Sequence, residues 1–355
     1  MPSSCVPHTS LPGASRLFAD FAYHFDRVRR FYDFAPGESA SYASAAAAVE
    51  YPGERRAELV EALRELNPGH PSLDLLARPG TCVVATGQQV GLLFGPAYTI
   101  YKALTAAKLA QQLTANGIPA VPVFWLATED HDLQEVDHCW VFDSAHRAAR
   151  IDAGGALGSQ GPVGRIPVGE NPAAVLRGAL EGLPFAGEVT AAAEQAYAPG
   201  RTFGEAFRAL FQKLLSSYGL LCLDPLQPAV RQLAAPLLSQ AAGDSGELVR
   251  LVLDRNRELV AAGYHAQVHV DDDSSLLFLL DGGDRQALRS QGDGFVAGGR
   301  TFSLGELRDR AADLSPNALL RPVVQDYLMP TVACVMGPAE LAYMAQAQVI
   351  YRALL

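Results

Sequence analysis

Residues 81–132 read TCVVATGQQVGLLFGPAYTIYKALTAAKLAQQLTANGIPAVPVFWLATEDHD. TCVVAT, at 81–86, is a short β-branched run and predicts a buried strand. GQQVGLLFGP (87–96) predicts a loop, with glycines at 87, 91 and 95. Residues 97–117 predict a helix: Pro96 suits a first helical turn and Asn116-Gly117 a C-terminal cap. VPVFWLAT (121–128) predicts a second buried strand. Strand, helix and strand together make a βαβ unit, whose strands run parallel through a right-handed crossover. Both strands then end on one edge of the sheet, where open α/β sheets bind ligands. TGQQ and TEDHD emerge there side by side.

Outward from this unit, the first 70 residues read mainly as helices, in FADFAYHFDRVRRFYDF, SYASAAAAVE and ERRAELVEALRELN. EAFRALFQKLLSSYG is an amphipathic helix, LLCLD (220–224) a strand and 228–242 a helix. After the helix GELVRLVLDRNRELVAAGY, the segments YHAQVHV, SLLFLLD and GFVAGGRTFS alternate as antiparallel strands do. TVACVM (331–336) is a last strand, and GPAELAYMAQAQVIYRALL opens a helix. The organisation expected is a helical N-terminus and first half of the core in 1–143, an insertion or linker in 144–200 and a core continuation in 201–245. A helix with a small antiparallel β insertion occupies 246–314, and 315–355 returns to the core. The fold class is α/β on a parallel-sheet core.

Composition bounds the function. The chain has 355 residues, 49% apolar and 19% charged, as in a globular enzyme. No apolar run reaches the roughly 18 residues of a membrane span, and no basic-then-apolar leader opens the sequence. A net charge of −10 argues against a nucleic-acid partner. The five cysteines (Cys5, Cys82, Cys139, Cys222 and Cys334) are odd in number and form no CxxC pair. A reduced, cytoplasmic setting is expected.

Residues 127–138, ATEDHDLQEVDH, hold five carboxylates and two histidines. A solvated turn, a metal site and an acid/base centre all fit that composition. In the last reading the carboxylates hold a substrate ammonium, and His131, between Asp130 and Asp132, or Asp130 itself takes its proton. DHD also has the spacing of the DHH motif of metal-dependent phosphoesterases, but the upstream aspartate strand and downstream histidine motif of that family are missing. Gln88 and Gln89 form a polar pair suited to a ligand. Lys102, one of three lysines with Lys108 and Lys213, follows the glycine-rich segment and lies roughly two turns into its helix, far from an anion held at that helix's N-terminus. Gly95-Pro96-Ala97 and Gly337-Pro338-Ala339 share their spacing to Tyr101 and Tyr343. They predict two helix N-termini built alike, each offering N–H groups to an anion. In 315–343, Arg321, Gln325, Asp326 and Glu340 punctuate an apolar run. His265 and His269, four apart on an expected strand, share a face beside Asp271–Asp273 and make a weak two-histidine ligand pair.

VVATGQQVGLLFGPAYTIYKALTAAKLA, VPVFWLATEDHDLQEVD, YGLLCLDP and SPNALLRPVVQDYLMPTVACVMGPAELAY closely resemble the motifs of the BshC family, the cysteine-adding enzymes of bacillithiol biosynthesis. The resemblance runs from about residue 10 to the C-terminus. It implies a Rossmann-like core with connecting-peptide insertions, and a ligase forming an amide between L-cysteine and the amine of glucosaminyl-malate. It implies ATP or ADP as the nucleotide, and no metal. It also places a site on Thr86, Gly87, Gln88, Gln89, Gly95, Tyr98, Lys102, Glu129, Asp130, His131, Asp132, Gln325, Asp326, Gly337 and Glu340. The family forms homodimers through a C-terminal coiled coil. This sequence stops within the apolar helix QVIYRALL, so a truncated chain lacking that segment is expected. A DHH-like phosphohydrolase and a non-catalytic ligand-binding remnant stand as the alternatives.

Overall fold

In the computed structural model, which describes residues 6, 7, 9, 13–153, 161–169 and 172–355, the βαβ unit forms. Strand β1 (Cys82–Gln88) is followed by a helix over Tyr98–Ala115 and by strand β2 (Ala120–Leu126). The strands pair in parallel from Cys82↔Ala120 to Gln88↔Leu126. Every residue of β2 is buried, as expected of a strand covered on both faces. The helix turns Thr99, Lys102, Ala103, Ala106, Ala107, Ala110 and Leu113 inward. This 3–4 residue spacing makes one stripe, and its alanines let the helix sit close to the sheet.

Two local readings are corrected. β1 runs two residues beyond the β-branched stretch, through Gly87 and Gln88. A Cβ at Gly87 would lie 2.9 Å from the Trp125 carbonyl oxygen, so glycine permits that close pairing. Pro96 does not open the helix: the chain turns at Gly95 (φ +62°), and Ala97 is the capping residue. Between them, Leu93 and Phe94 hold positive φ of 50° and 79°. The Leu93 N–H donates to the Tyr197 hydroxyl at 2.6 Å, and the Phe94 ring stacks on Phe207 at 4.6 Å between centroids. Strained backbone of this kind persists only where packing holds it.

The chain divides into two compact units. The first, residues 52–233 with 280–286, contains the βαβ unit. A hairpin of β3 (His138–Phe142) and β4 (Ala148–Asp152) follows β2. Within 144–200, expected as an insertion or linker, the described residues form β4 and helices Pro172–Ala179 and Ala186–Ala196. The helix Phe203–Leu215 starts with a capping box between Thr202 and Glu205. Strand β5 (Leu221–Leu223) joins β2 in parallel, Val123↔Leu221 to Trp125↔Leu223. Its other edge meets a side chain. Asn67 Oδ1 accepts from the Cys222 N–H at 2.7 Å, and Asn67 Nδ2 donates to the Cys222 carbonyl at 2.8 Å. One buried amide thus occupies both hydrogen-bonding groups of Cys222.

The second unit comprises residues 1–51, 234–279 and 287–355. Helices Arg16–Tyr23, Ser245–Ala261 and Pro338–Leu354 build its core around Leu17, Phe31, Leu259, Ala342 and Ala345. An antiparallel sheet is formed by β6 (Ser274–Asp281), β7 (Asp284–Gln291), β8 (Gly294–Ala297), β9 (Arg300–Ser303) and β10 (Leu314–Pro316), in the order β10-β6-β7-β8-β9. Strand β11 (Thr331–Val335) precedes the last helix. YHAQVHV is not a strand. The Gln346 side chain bonds both the N–H and the carbonyl of Val268, each at 2.8 Å, in place of a neighbouring strand. His265 contacts Gln267 and His269 contacts Asp271, so the shared strand face behind the two-histidine ligand reading does not exist. Among the described residues, no helix is long and apolar enough to cross a membrane.

Candidate functional site

Because β1 and β2 are parallel and in register, their C-terminal ends share an edge. β1 brings buried Thr86, then Gly87, Gln88 and Gln89; β2 leads into Thr128, Glu129, Asp130, His131 and Asp132. Gln89 Nε2 donates to Asp130 Oδ2 at 2.7 Å and also contacts the Glu135 carboxylate. Lys102 reaches this edge. Its ammonium donates to the Gly87 carbonyl at 2.7 Å and to Gln88 Oε1 at 3.2 Å. Helical side chains lean towards the N-terminus, and that lean recovers the height that counting turns assigns to Lys102. Gln88 Nε2 bonds the Tyr98 hydroxyl at 3.2 Å. Gln88, Tyr98 and Lys102 therefore form one hydrogen-bonded group, and Gln89, Asp130 and Glu135 a second beside it, with Gly95 at the turn before Tyr98.

The acidic stretch is answered by arginines from distant parts of the chain. Arg231 Nη1 donates to Glu129 Oε1 at 2.8 Å, both side chains being buried. Burial pushes the Glu129 carboxyl above its ordinary value, while Arg231 and Arg285 pull it back. Burial would raise Asp130 as well. The Gln89 hydrogen bond, the Arg285 charge and the backbone N–H groups of Asp132 and His131 outweigh it and hold that carboxyl below the usual range. Arg285 Nη1 lies 3.1 Å from His131 Nδ1. Asp132 Oδ1 accepts from the Gln134 N–H at 3.1 Å, capping the short turn Leu133–Glu135. Asp137 pairs with His138 at 2.8 Å. Much of this acidic charge is thus met within the protein.

Three participants escaped the sequence reading. Asp224, just beyond β5, bonds the Thr128 hydroxyl, and its burial pushes the carboxyl upward. It stands at the C-terminal end of a third parallel strand, so the rule that selected TEDHD selects it too. Arg231 and Arg285 carry no local signal, since only the fold brings them to Glu129 and His131.

The remaining candidates lie in the second unit and form a cluster of their own. Arg321 donates to the Tyr343 hydroxyl and to Gln325 Oε1, each at 3.1 Å. Gln325 Nε2 bonds Asp326 Oδ1 at 3.1 Å, and Asp326 Oδ2 accepts from the Tyr351 hydroxyl at 2.7 Å. Burial pushes the neighbouring Cys334 thiol up to about 12, with Arg321 opposing. The Gly337 N–H donates to Glu340 Oε2 at 2.7 Å. That bond spends a donor expected to hold an anion and sets a carboxylate at the helix start. Gly337 caps its helix directly, whereas Gly95 stands two residues before the cap of the other, so the two N-termini are not built alike. Among the described residues, no three His, Cys, Asp or Glu side chains gather as a metal site would require.

A family model described as "Bacillithiol biosynthesis BshC, N-terminal Rossmann-like domain" matches residues 1–354. A relative from Solibacter usitatus is 51% identical over all 355 residues of this chain and 68% of its own length. One from Koribacter versatilis is 38% identical over 99% of this chain and 68% of its own length. One from Salinibacter ruber is 34% identical over 98% of this chain and 66% of its own. All three carry the name "Putative cysteine ligase BshC".

Proposed function

The chain belongs to the BshC family, and from that premise we propose that it is a cytosolic ligase. It joins the carboxyl group of L-cysteine to the amine of glucosaminyl-malate, giving the amide bond of bacillithiol. The observation that carries this reading is the 51% identity along all 355 residues with a relative named for cysteine ligation. The polar group at the shared edge of β1 and β2 supports a location for the chemistry.

Amide formation from a carboxylate and an amine needs the carboxylate activated and the amine neutral. ATP, when bound, would supply the activation, its phosphoryl or adenylyl group passing to the cysteine carboxylate with release of ADP or pyrophosphate. Lys102, whose ammonium sits at the end of β1, is the cation assigned to that anionic group. The first turn of its helix contains no acidic residue. The start of the last helix fits an anion poorly, because Glu340 occupies it. Asp130, held ionised by its hydrogen bonds and by Arg285, attracts the substrate ammonium and receives a proton from the amine as it adds to the activated carbonyl. Gln88, Gln89 and Tyr98 frame that group. Thr86, Gly87, Gly95 and Glu129 shape it.

The test supplies glucosaminyl-malate, cysteine and ATP and follows bacillithiol by mass spectrometry. Bacillithiol is expected, and Asp130→Asn and Lys102→Met are expected to lower its rate about 100-fold or more. Folded wild-type protein that makes none overturns the reading. Normal turnover in either variant removes that residue from the machinery.

A further inference from the structure

Arg285 sits in the 280–286 segment, far in sequence from the acidic stretch. Its guanidinium nitrogen Nη1 is 3.1 Å from His131 Nδ1. Guanidinium groups only donate hydrogen bonds, so the contact requires a lone pair on Nδ1. A doubly protonated imidazolium would set N–H against N–H at that distance. Asp130 Oδ1 is 3.6 Å from Nδ1, beyond hydrogen-bond range. The ring proton of His131 therefore belongs on Nε2.

We propose that Arg285 is a positioning residue that fixes His131 as the neutral Nε2–H tautomer, so that His131 donates a hydrogen bond during the reaction and does not accept a proton. With Nδ1 engaged by Arg285 and Nε2 protonated, the ring has no lone pair left for the substrate amine. The proton-acceptor role expected of His131 passes to Asp130. An Nε2–H donor suits an oxygen that gains negative charge as the amine adds to the activated cysteine carbonyl. This assignment rests on the ligase reading for its purpose, but the tautomer itself is independent of it.

The ring state is read directly. Protein carrying ¹⁵N-histidine gives long-range ¹H–¹⁵N correlations at neutral pH, and the His131 set is identified by its loss in His131→Gln. The Nε2–H pattern is expected in wild type and in Arg285→Lys, which keeps a donor. A mixture of tautomers or an imidazolium is expected in Arg285→Met, which keeps the length and removes every donor. An Nδ1–H or doubly protonated His131 in wild type overturns the proposal. So does an unchanged His131 pattern in Arg285→Met with native circular dichroism. If that variant fails to fold, the wild-type and Arg285→Lys spectra decide. In the ligase assay, a glutamine amide replaces an Nε2–H donor but not a base. His131→Gln is therefore expected to turn over at least about tenfold faster than His131→Ala, and equal loss in both contradicts the donor role. Absence of bacillithiol in wild type removes the ligase reading and leaves the spectra standing.

Discussion

Replacing Arg231 by methionine leaves Glu129 buried without its closest countercharge. The pair is 2.8 Å apart, and its side chains are only 9% and 10% exposed, so solvent screens it little. Two unit charges at that distance attract by about 6 kcal/mol at an effective dielectric of ~20, an upper bound because each charge is spread over its group. Removing one partner of a buried pair costs about 3–5 kcal/mol. Arg285 stays behind and still opposes the Glu129 charge, which places the expected cost near the lower figure, about 3 kcal/mol. The dependence on pH follows from linkage. Glu129 already has a raised carboxyl in the folded protein, so its contribution is most favourable below the unfolded glutamate value and is lost as pH rises through the folded value. Removing Arg231 raises that folded value further. The destabilisation is therefore expected to be large at pH 7.5 and smaller near pH 4.5. Urea unfolding followed by tryptophan fluorescence measures it, because both tryptophans, Trp125 and Trp140, belong to the unit containing the pair. Glu129→Gln combined with Arg231→Met is expected to recover most of the loss. A cost below about 1 kcal/mol, or one that grows in acid, refutes this account.

The amide closing β5 gives a second test. Asn67→Leu leaves the N–H and carbonyl of Cys222 without the partners they have now. At about 1–3 kcal/mol for each stranded buried group, a loss of about 2–4 kcal/mol is expected in the same urea titration. Gly164→Ala would set a Cβ 2.4 Å from the Thr128 Cβ. Overpacking of this kind costs about 1–3 kcal/mol, and displacement of Thr128 at the end of β2 is expected to slow bacillithiol formation as well; unchanged urea midpoints and turnover would contradict the contact. Asp130 is lowered in the folded state, so its ionised form adds stability above the unfolded aspartate value of roughly 3.9, lost as pH falls through the folded value. Asp130→Asn is thus expected to be less stable than wild type at pH 6, with the gap narrowing below about pH 4, as urea midpoints across that range will tell.

What was legible in the chain was whatever local pattern determines. The βαβ unit follows from two apolar strands, an alanine-striped helix and the Asn116-Gly117 stop, and the ligand edge follows from parallel strands. β7 escaped because DRQALRSQ is polar and only partly covered. YHAQVHV misled in the opposite sense: it alternates as a strand does, yet its backbone is held by Gln346, 78 residues away. Arg231 and Arg285 meet their partners across 102 and 154 residues, separations over which no periodicity gives a signal.

The arginines also answer why so much negative charge stands after β2. An acidic edge alone suits an ammonium and repels carboxylates and phosphates. Here Arg231 offsets Glu129, Asp132 is engaged in capping a turn, and Asp137 is paired with His138. Asp130 is the carboxylate that the surrounding bonds keep ionised, and Lys102 places a positive charge at the neighbouring strand end. The edge is thus divided by sign. That division would serve the proposed joining of an amine to an activated carboxylate. Such a division cannot be seen in ATEDHDLQEVDH alone, because the charges that create it are supplied by Lys102, Arg231 and Arg285.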